Sequence, residues 1–232
     1  MDMRKVGIAP GTTTLTLPGG QTIALSDWID DKHWTTVELQ DGDNDTLEAF
    51  ASGRSQPITG GTRNNTQVDT NVPRNGNIGL PKDWEFMVYG WAMEVMRVTR
   101  PNEGQQSPTL NSYSNPASFQ TLFELNRRVY CKYMYNGKMY TEGLIEDYPA
   151  GSGISIFTTA TNTELANNGI PSPRDRVALV LPVHERENLG YSFDITPVIN
   201  LAINQPAADN GDPLTFLDLR IKKNGLIKRT VV

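Results

Sequence analysis

Around Asn136-Gly137, two seven-residue runs alternate apolar and polar side chains, which is the period of a strand with one face buried. Asn and Gly both reach positive φ at little cost, as a two-residue turn between antiparallel strands requires. The pattern predicts a hairpin of 129–135 and 138–144, pairing Tyr135 with Lys138, Met134 with Met139, Tyr133 with Tyr140 and Cys131 with Glu142. One face of it then holds Val129, Cys131, Tyr133, Tyr140 and Leu144. Four further Asn-Gly pairs, at Asn75-Gly76, Asn168-Gly169, Asn210-Gly211 and Asn224-Gly225, extend the same message of antiparallel β structure.

Elsewhere the strand signal recurs in short runs. Residues 12–17 are strand-prone and end at Pro18-Gly19-Gly20, and 21–25 lead into a capped helical turn at 26–31. In 34–40, Trp34, Thr36 and Glu38 oppose Thr35, Val37 and Leu39, and Asp41-Gly42 is placed to close a hairpin onto 46–51. The run 84–98 is apolar on both parities, with Trp84, Phe86 and Val88 on one and Met87, Tyr89, Trp91 and Met93 on the other. Such a strand is covered on both faces, by layers of its own fold or by another subunit. Asn115-Pro116 opens a short helix over 115–123, with Pro at its first position. Strands follow at 154–157, 177–183, 191–195 and 214–221. A last hairpin turns at Lys223-Asn224-Gly225, setting Ile221 against Ile227.

No alternation of strands with helices supports a parallel sheet, so the fold class is an antiparallel β-sandwich, a single jelly roll of about eight strands. The domain reading is an N-terminal arm, 1–25, and one sandwich domain, 26–232, with long loops 52–83, 99–114 and 158–176. Hydrophobic residues at 38% suffice for a packed core, while 15 Pro and 20 Gly point to ordered loops. Structureless connections of about 30 residues are unusual in compact domains and usually serve partners. Loops 52–83 and 99–114 are therefore the interaction candidates, together with the arm.

A net charge of −5 gives the molecule little electrostatic reason to coat nucleic acid. The basic group Arg220, Lys222, Lys223, Lys228 and Arg229 reads as a solvated edge that guards against aggregation. The single Cys131 excludes an internal disulfide and reads as a buried, inert thiol. The start of the chain lacks a secretory signal and no run approaches 18 apolar residues, so synthesis in a reducing cytosol is expected and no transmembrane segment. The sequons at Asn44 and Asn64 carry little weight without export.

Candidate chemistry is sparse. Only His33 and His184 could serve an imidazole metal site or a His-based triad, and no Gly-x-Ser-x-Gly elbow occurs. Asp41-Gly42-Asp43-Asn44-Asp45 has the oxygen density of a calcium loop, yet Thr46 and Ser52 stand where that loop needs Gly and a bidentate Glu. Glu85, Glu94, Glu124 and Glu142 lie in apolar neighbourhoods, with Arg97, Arg127 and Arg128 as expected partners. No catalytic, cofactor-binding or metal residue is assigned, and the chain is not read as an enzyme. Trp28, Trp34, Trp84, Trp91 and Tyr130, Tyr133, Tyr135, Tyr140 could stack on sugars if exposed, which leaves a carbohydrate-binding module as the alternative.

In its arm over 12–17, its strand run 84–98, its 130–140 hairpin and its closing segment 214–232, the chain resembles the jelly-roll capsid proteins of icosahedral viruses. It is most similar to the small single-barrel major capsid proteins of tail-less, internal-membrane phages and archaeal viruses. The resemblance implies a coat subunit, made in host cytoplasm and carried in the virion beside an internal membrane. It implies copies of itself and sister coat proteins as partners, and the mild acidity adds that such a subunit would not itself bind the genome. The length suits one barrel rather than two.

Overall fold

The computed structural model describes residues 13–16, 20, 22–40, 42–72, 79–96, 125–148, 155–158, 164–167, 177–187, 189–201 and 216–229. The described strands are β1 (Thr14–Thr16), β2 (Thr22–Ala24), β3 (Ile29–Gln40), β4 (Leu47–Ala49), β5 (Trp84–Met96) and β6 (Val129–Tyr135). They continue with β7 (Lys138–Leu144), β8 (Ser155–Thr158), β9 (Glu164–Asn167), β10 (Val177–Arg186), β11 (Tyr191–Pro197) and β12 (Phe216–Arg229). The chain is all-β and its sheets are antiparallel. A long sheet runs β10-β5-β12-β3 and a short one β4-β11-β6-β7, while β1 pairs with β2 and β8 with β9. The helix predicted at 115–123, the loop 99–114, residues 1–12 and most of 158–176 lie outside the described residues.

The two four-stranded sheets share one apolar core. Trp91 of β5 lies 4.7 Å from the Tyr133 ring and 4.6 Å from Phe193, so a single side chain bridges both layers. Val37, Leu39, Phe86, Met93, Leu219 and Ile221 line the long sheet's inner face against Val129, Cys131, Tyr191 and Ile195. Burying one such large side chain stabilises the fold by about 2 kcal/mol.

The double apolar pattern of β5 has a cause that the sequence hid. Asn224 lies opposite Gly90 and Gly225 opposite Val88, so Tyr89 is an extra residue bulged out of register. A bulge inverts side-chain parity. Phe86 and Val88 therefore face inward before it and Trp91 and Met93 after it, all four in the same core. The outer face carries Met87 and Tyr89, which pack with Ile23, Trp28 and Leu226 under the β1/β2 hairpin. From residue 13 onward the arm thus folds back on its own sheet.

The loop following β4 is also held close. Glu38 N–H donates to Thr59 O, Asn71 N–H to Trp34 O, and Trp34 N–H to Asn71 Oδ1, so residues 51–72 seal the free edge of β3.

Several sequence expectations fail for identifiable reasons. Asn224-Gly225 is not a hairpin turn but the middle of the fourteen-residue β12, which lies between β5 and β3. Gly225 is required there by close approach, since a Cβ on it would sit 2.1 Å from Met87 O. Asp41-Gly42 does not join a hairpin, because β3 and β4 belong to different sheets. The hairpin at 136–137 has the predicted limits, with φ of 48° at Asn136 and 74° at Gly137. Its register nevertheless slips after Met134↔Met139, so Tyr133 faces Thr141, Cys131 faces Gly143 and Tyr140 is left exposed. The turn expected at 26–31 is a single 3-10 turn at Leu25–Asp27, after which the backbone extends into β3.

Candidate functional site

Two polar clusters interrupt the apolar packing, one inside the sandwich and one outside it. The inner cluster follows from strand parity. Leu219 and Ile221 point into the core, so Lys223 on the same parity of β12 does too, and Glu185 follows Val183 on β10 in the same way. Both side chains are 0% exposed, with Nζ 2.6 Å from Oε2. Tyr133 of the opposite sheet donates its hydroxyl to Glu185 Oε1 at 2.6 Å. Burial, then the field and hydrogen bond of Glu185, push the Tyr133 phenol well above its ordinary range. The Tyr191 ring centroid lies 3.8 Å from Nζ, Phe86 4.7 Å and Phe50 5.6 Å, so aromatic faces box the ammonium.

His33, on β3, stacks on Phe86 at 4.5 Å between ring centroids. Burial first, then the charges of Lys223 and Arg229, hold its imidazole well below the ordinary value, so it is neutral at about pH 7. Its Nδ1 has no hydrogen-bond partner among the described residues.

The outer cluster is organised by Arg63, carried by the loop that seals β3. Its Nη2 contacts Asp218 at 2.9 Å and its Nη1 contacts Asp69 at 2.9 Å, with Glu38 Oε2 at 3.7 Å from Nε. Gly60 and Gly61 let the loop backbone lie against Glu38; Cβ atoms there would fall 2.1 Å from its carbonyl oxygen and 2.6 Å from its carboxylate. Burial drives the Asp218 carboxyl up to about 6, with Arg63 opposing and Glu38 adding to the rise. Asp69 moves the other way: burial would raise it, but hydrogen bonds from Arg63 and Thr66 outweigh that and lower it. Three carboxylates around one guanidinium make a structural clasp that ties the loop to the sheet beneath it.

The residues singled out in the sequence are dispersed. His184 Nε2 meets Glu85 Oε2 at 2.5 Å with its ring edge on Trp28, whereas His33 stacks on Phe86. Glu85 also lies 3.5 Å from Lys228, and Glu94 pairs with Lys222 at 2.7 Å. Glu142 accepts a hydrogen bond from the Tyr130 hydroxyl. The expected Arg127 pairs with Glu146 instead, and Glu124 and Arg97 lie outside the described residues. The Asp43 carboxylate caps its own turn by accepting from Gln40 N–H, and the turn is pinned by reciprocal backbone bonds to Leu201. Among the described residues no three His, Cys, Asp or Glu side chains are grouped to hold a metal.

Cys131 is fully buried 3.8 Å from Met93 Sδ, and burial pushes its thiol far up. Trp28 and Trp91 are buried, Trp34 donates its Nε1–H to Val68 O, and Trp84 lies beneath Arg229. Lys223 departs most from expectation: the basic run on β12 is no solvated edge, since that strand is central and this lysine is its most deeply buried charge. Sequence reasoning missed Glu38, Asp69, Glu185 and Asp218; the parity of Val183 with Glu185 and of Ile221 with Lys223 was the available signal. Among the described residues the exposed large apolar side chains are Ile29, Val68, Met139, Tyr140, Leu181, Val198 and Ile199.

Among the described residues no helix is long and apolar enough to cross a membrane. Comparison with known families, curated proteins and solved structures finds no family model, protein or structure that matches this chain.

Proposed function

We propose that this chain is a structural subunit of a viral or phage capsid, a single jelly roll that assembles into an icosahedral shell and performs no reaction. The observation that carries the reading is the winding of the chain. Numbering only the eight sandwich strands, the first pairs with the eighth, the second with the seventh, the third with the sixth and the fourth with the fifth. Those are β3/β12, β4/β11, β5/β10 and β6/β7, and the ribbon closes through β5/β12 and β6/β11. A long hairpin rolled on itself would give this order, so the pairing supports a jelly-roll reading of the kind found in capsid and lectin domains.

The placement of polar groups supports a scaffold rather than a catalyst. Glu185 is sealed in the core and the Arg63 clasp is closed by its own loop, so neither offers a converging set of ionisable groups to a substrate. Loop 52–72 is anchored to β3, so it would meet neighbouring copies as a preformed surface displaying Val68, which is 65% exposed. Leu181, Val198 and Ile199 add apolar positions suited to the same use.

Electron microscopy and light scattering of the purified protein test the reading, alone and with the other products of its operon. Regular shells or capsomer rings, with mass rising over a concentration series, are expected. A strict monomer under every condition would count decisively against it.

A further inference from the structure

We propose that Lys223 and Glu185 join covalently, as an intramolecular amide between β12 and β10 that the folded chain makes without a cofactor. The proposal does not depend on the capsid reading. A buried ion pair is by itself a weak stabiliser, because desolvating two charges offsets their attraction, so a Lys-Glu pair in a box of aromatic rings asks for another use. Nζ is held 2.6 Å from Oε2 of the carboxyl group whose carbon it would attack, so folding has already supplied the entropy of bringing the two groups together. Glu185 lies opposite Phe86 and Lys223 opposite Trp91, so the two side chains reach each other across β5. Tyr133 adds a donor from the facing sheet, 2.6 Å from Oε1.

The step balances with no redox change. The Lys223 ammonium passes one proton to Glu185 Oε2, which removes both charges from a site walled by aromatic rings, where charge is costly. The freed electron pair on Nζ attacks Cδ. The Tyr133 O–H steadies the negative charge that grows on Oε1, as an oxyanion donor does. The Cδ–Oε2 bond then breaks, and Oε2 departs as water with the proton it received and one more from Nζ. The product is one amide bond with one water lost, enclosed by Phe50, Phe86 and Tyr191 and so shielded from hydrolysis.

Mass spectrometry of the full chain, folded, purified and then denatured, tests this directly. The expected mass is lower than the sequence requires by one water, and a digest yields a branched peptide joining the Glu185 and Lys223 segments. Lys223→Arg is expected at full mass. Glu185→Gln is expected to lose ammonia in place of water, and Tyr133→Phe to form the bond about a hundred-fold more slowly, as loss of an oxyanion donor does. A wild-type chain at full sequence mass after prolonged incubation in the folded state overturns the proposal. So does a loss of water that the digest maps elsewhere, for example to a succinimide at Asp41-Gly42. The wild-type mass decides the matter by itself, so a variant that fails to fold does not blunt the test.

Discussion

The two sheets of this sandwich solve the same packing problem differently. In the short sheet, β6 and β11 alternate strictly between buried and half-buried positions, so among the described residues their outer face is open and the fully buried side chains lie on one side of each strand. In the long sheet, β3 keeps five consecutive residues buried, Thr35 to Leu39, because Arg63 and its loop cover the outer face as the short sheet covers the inner one. Strands of ten to fourteen residues accompany the double cover, against three to seven in the short sheet. A strand that is wetted on one side declares its orientation in its sequence; a strand covered on both sides does not.

A pair of methionine substitutions would break this comparison if it is wrong. Met87 lies on the outer face of β5, wholly buried beneath the β1/β2 hairpin, whereas Met134 is half-buried on β6. Met87→Ser is expected to lose about 3 kcal/mol, as removal of a buried side chain with residual space does, and Met134→Ser less than about 1 kcal/mol. Denaturant unfolding of the two variants measures both. Equal losses would mean that the arm hairpin contributes no real cover.

The same contrast explains what could be read beforehand. The limits of β6 and β7 were legible to the residue, because alternation and an Asn-Gly turn agree with each other there. For β5 the double apolarity was visible but its cause was not: half of the apparent outer face is the inner face resumed after Tyr89 bulges out. In β12 the dipeptide Asn224-Gly225 imitates a turn, while its Gly serves the close approach of Met87. That misreading moved Lys223 into a loop and concealed its pairing with Glu185. The carboxylates around Arg63 left no local trace, since Glu38, Asp69 and Asp218 meet only when the loop folds over the sheet.

Gly225 and Gly137 sharpen the lesson about identical dipeptides in the two sheets. A Cβ at Gly225 would collide with backbone and with the Phe86 ring, at 2.1 Å and 2.5 Å, so Gly225→Ala is expected to cost about 2 kcal/mol or more. At Gly137 nothing lies within 4 Å and the penalty comes from its φ of +74° alone, about 1 kcal/mol for Ala. Thermal unfolding of the two variants should show the larger fall in Tm for Gly225→Ala. The reverse order would restore Asn224-Gly225 as a turn.

The smallest effect lies in the pH dependence of two groups buried on opposite faces of the long sheet. His33 is held well below its ordinary value of 6.5, so the unfolded chain takes that proton first and stability falls as pH drops below 6.5. Asp218 acts oppositely: its folded value of about 6 exceeds the ordinary 3.8, the native state takes the proton first, and stability rises as pH falls from about 6 towards 4. The carboxyl therefore offsets part of the histidine's loss, because burial raises it, with Glu38 and Asp69 adding to the rise and Arg63 opposing it. Asp218→Asn removes the offset. Relative to wild type, the variant should become less stable on going from about pH 7.5 to about pH 5, by about 1 kcal/mol in denaturant unfolding. Parallel pH curves would mean that Asp218 is already ionised and relaxed in the native protein, and that the loop over the long sheet admits water to its acids as freely as the open face of the short sheet does.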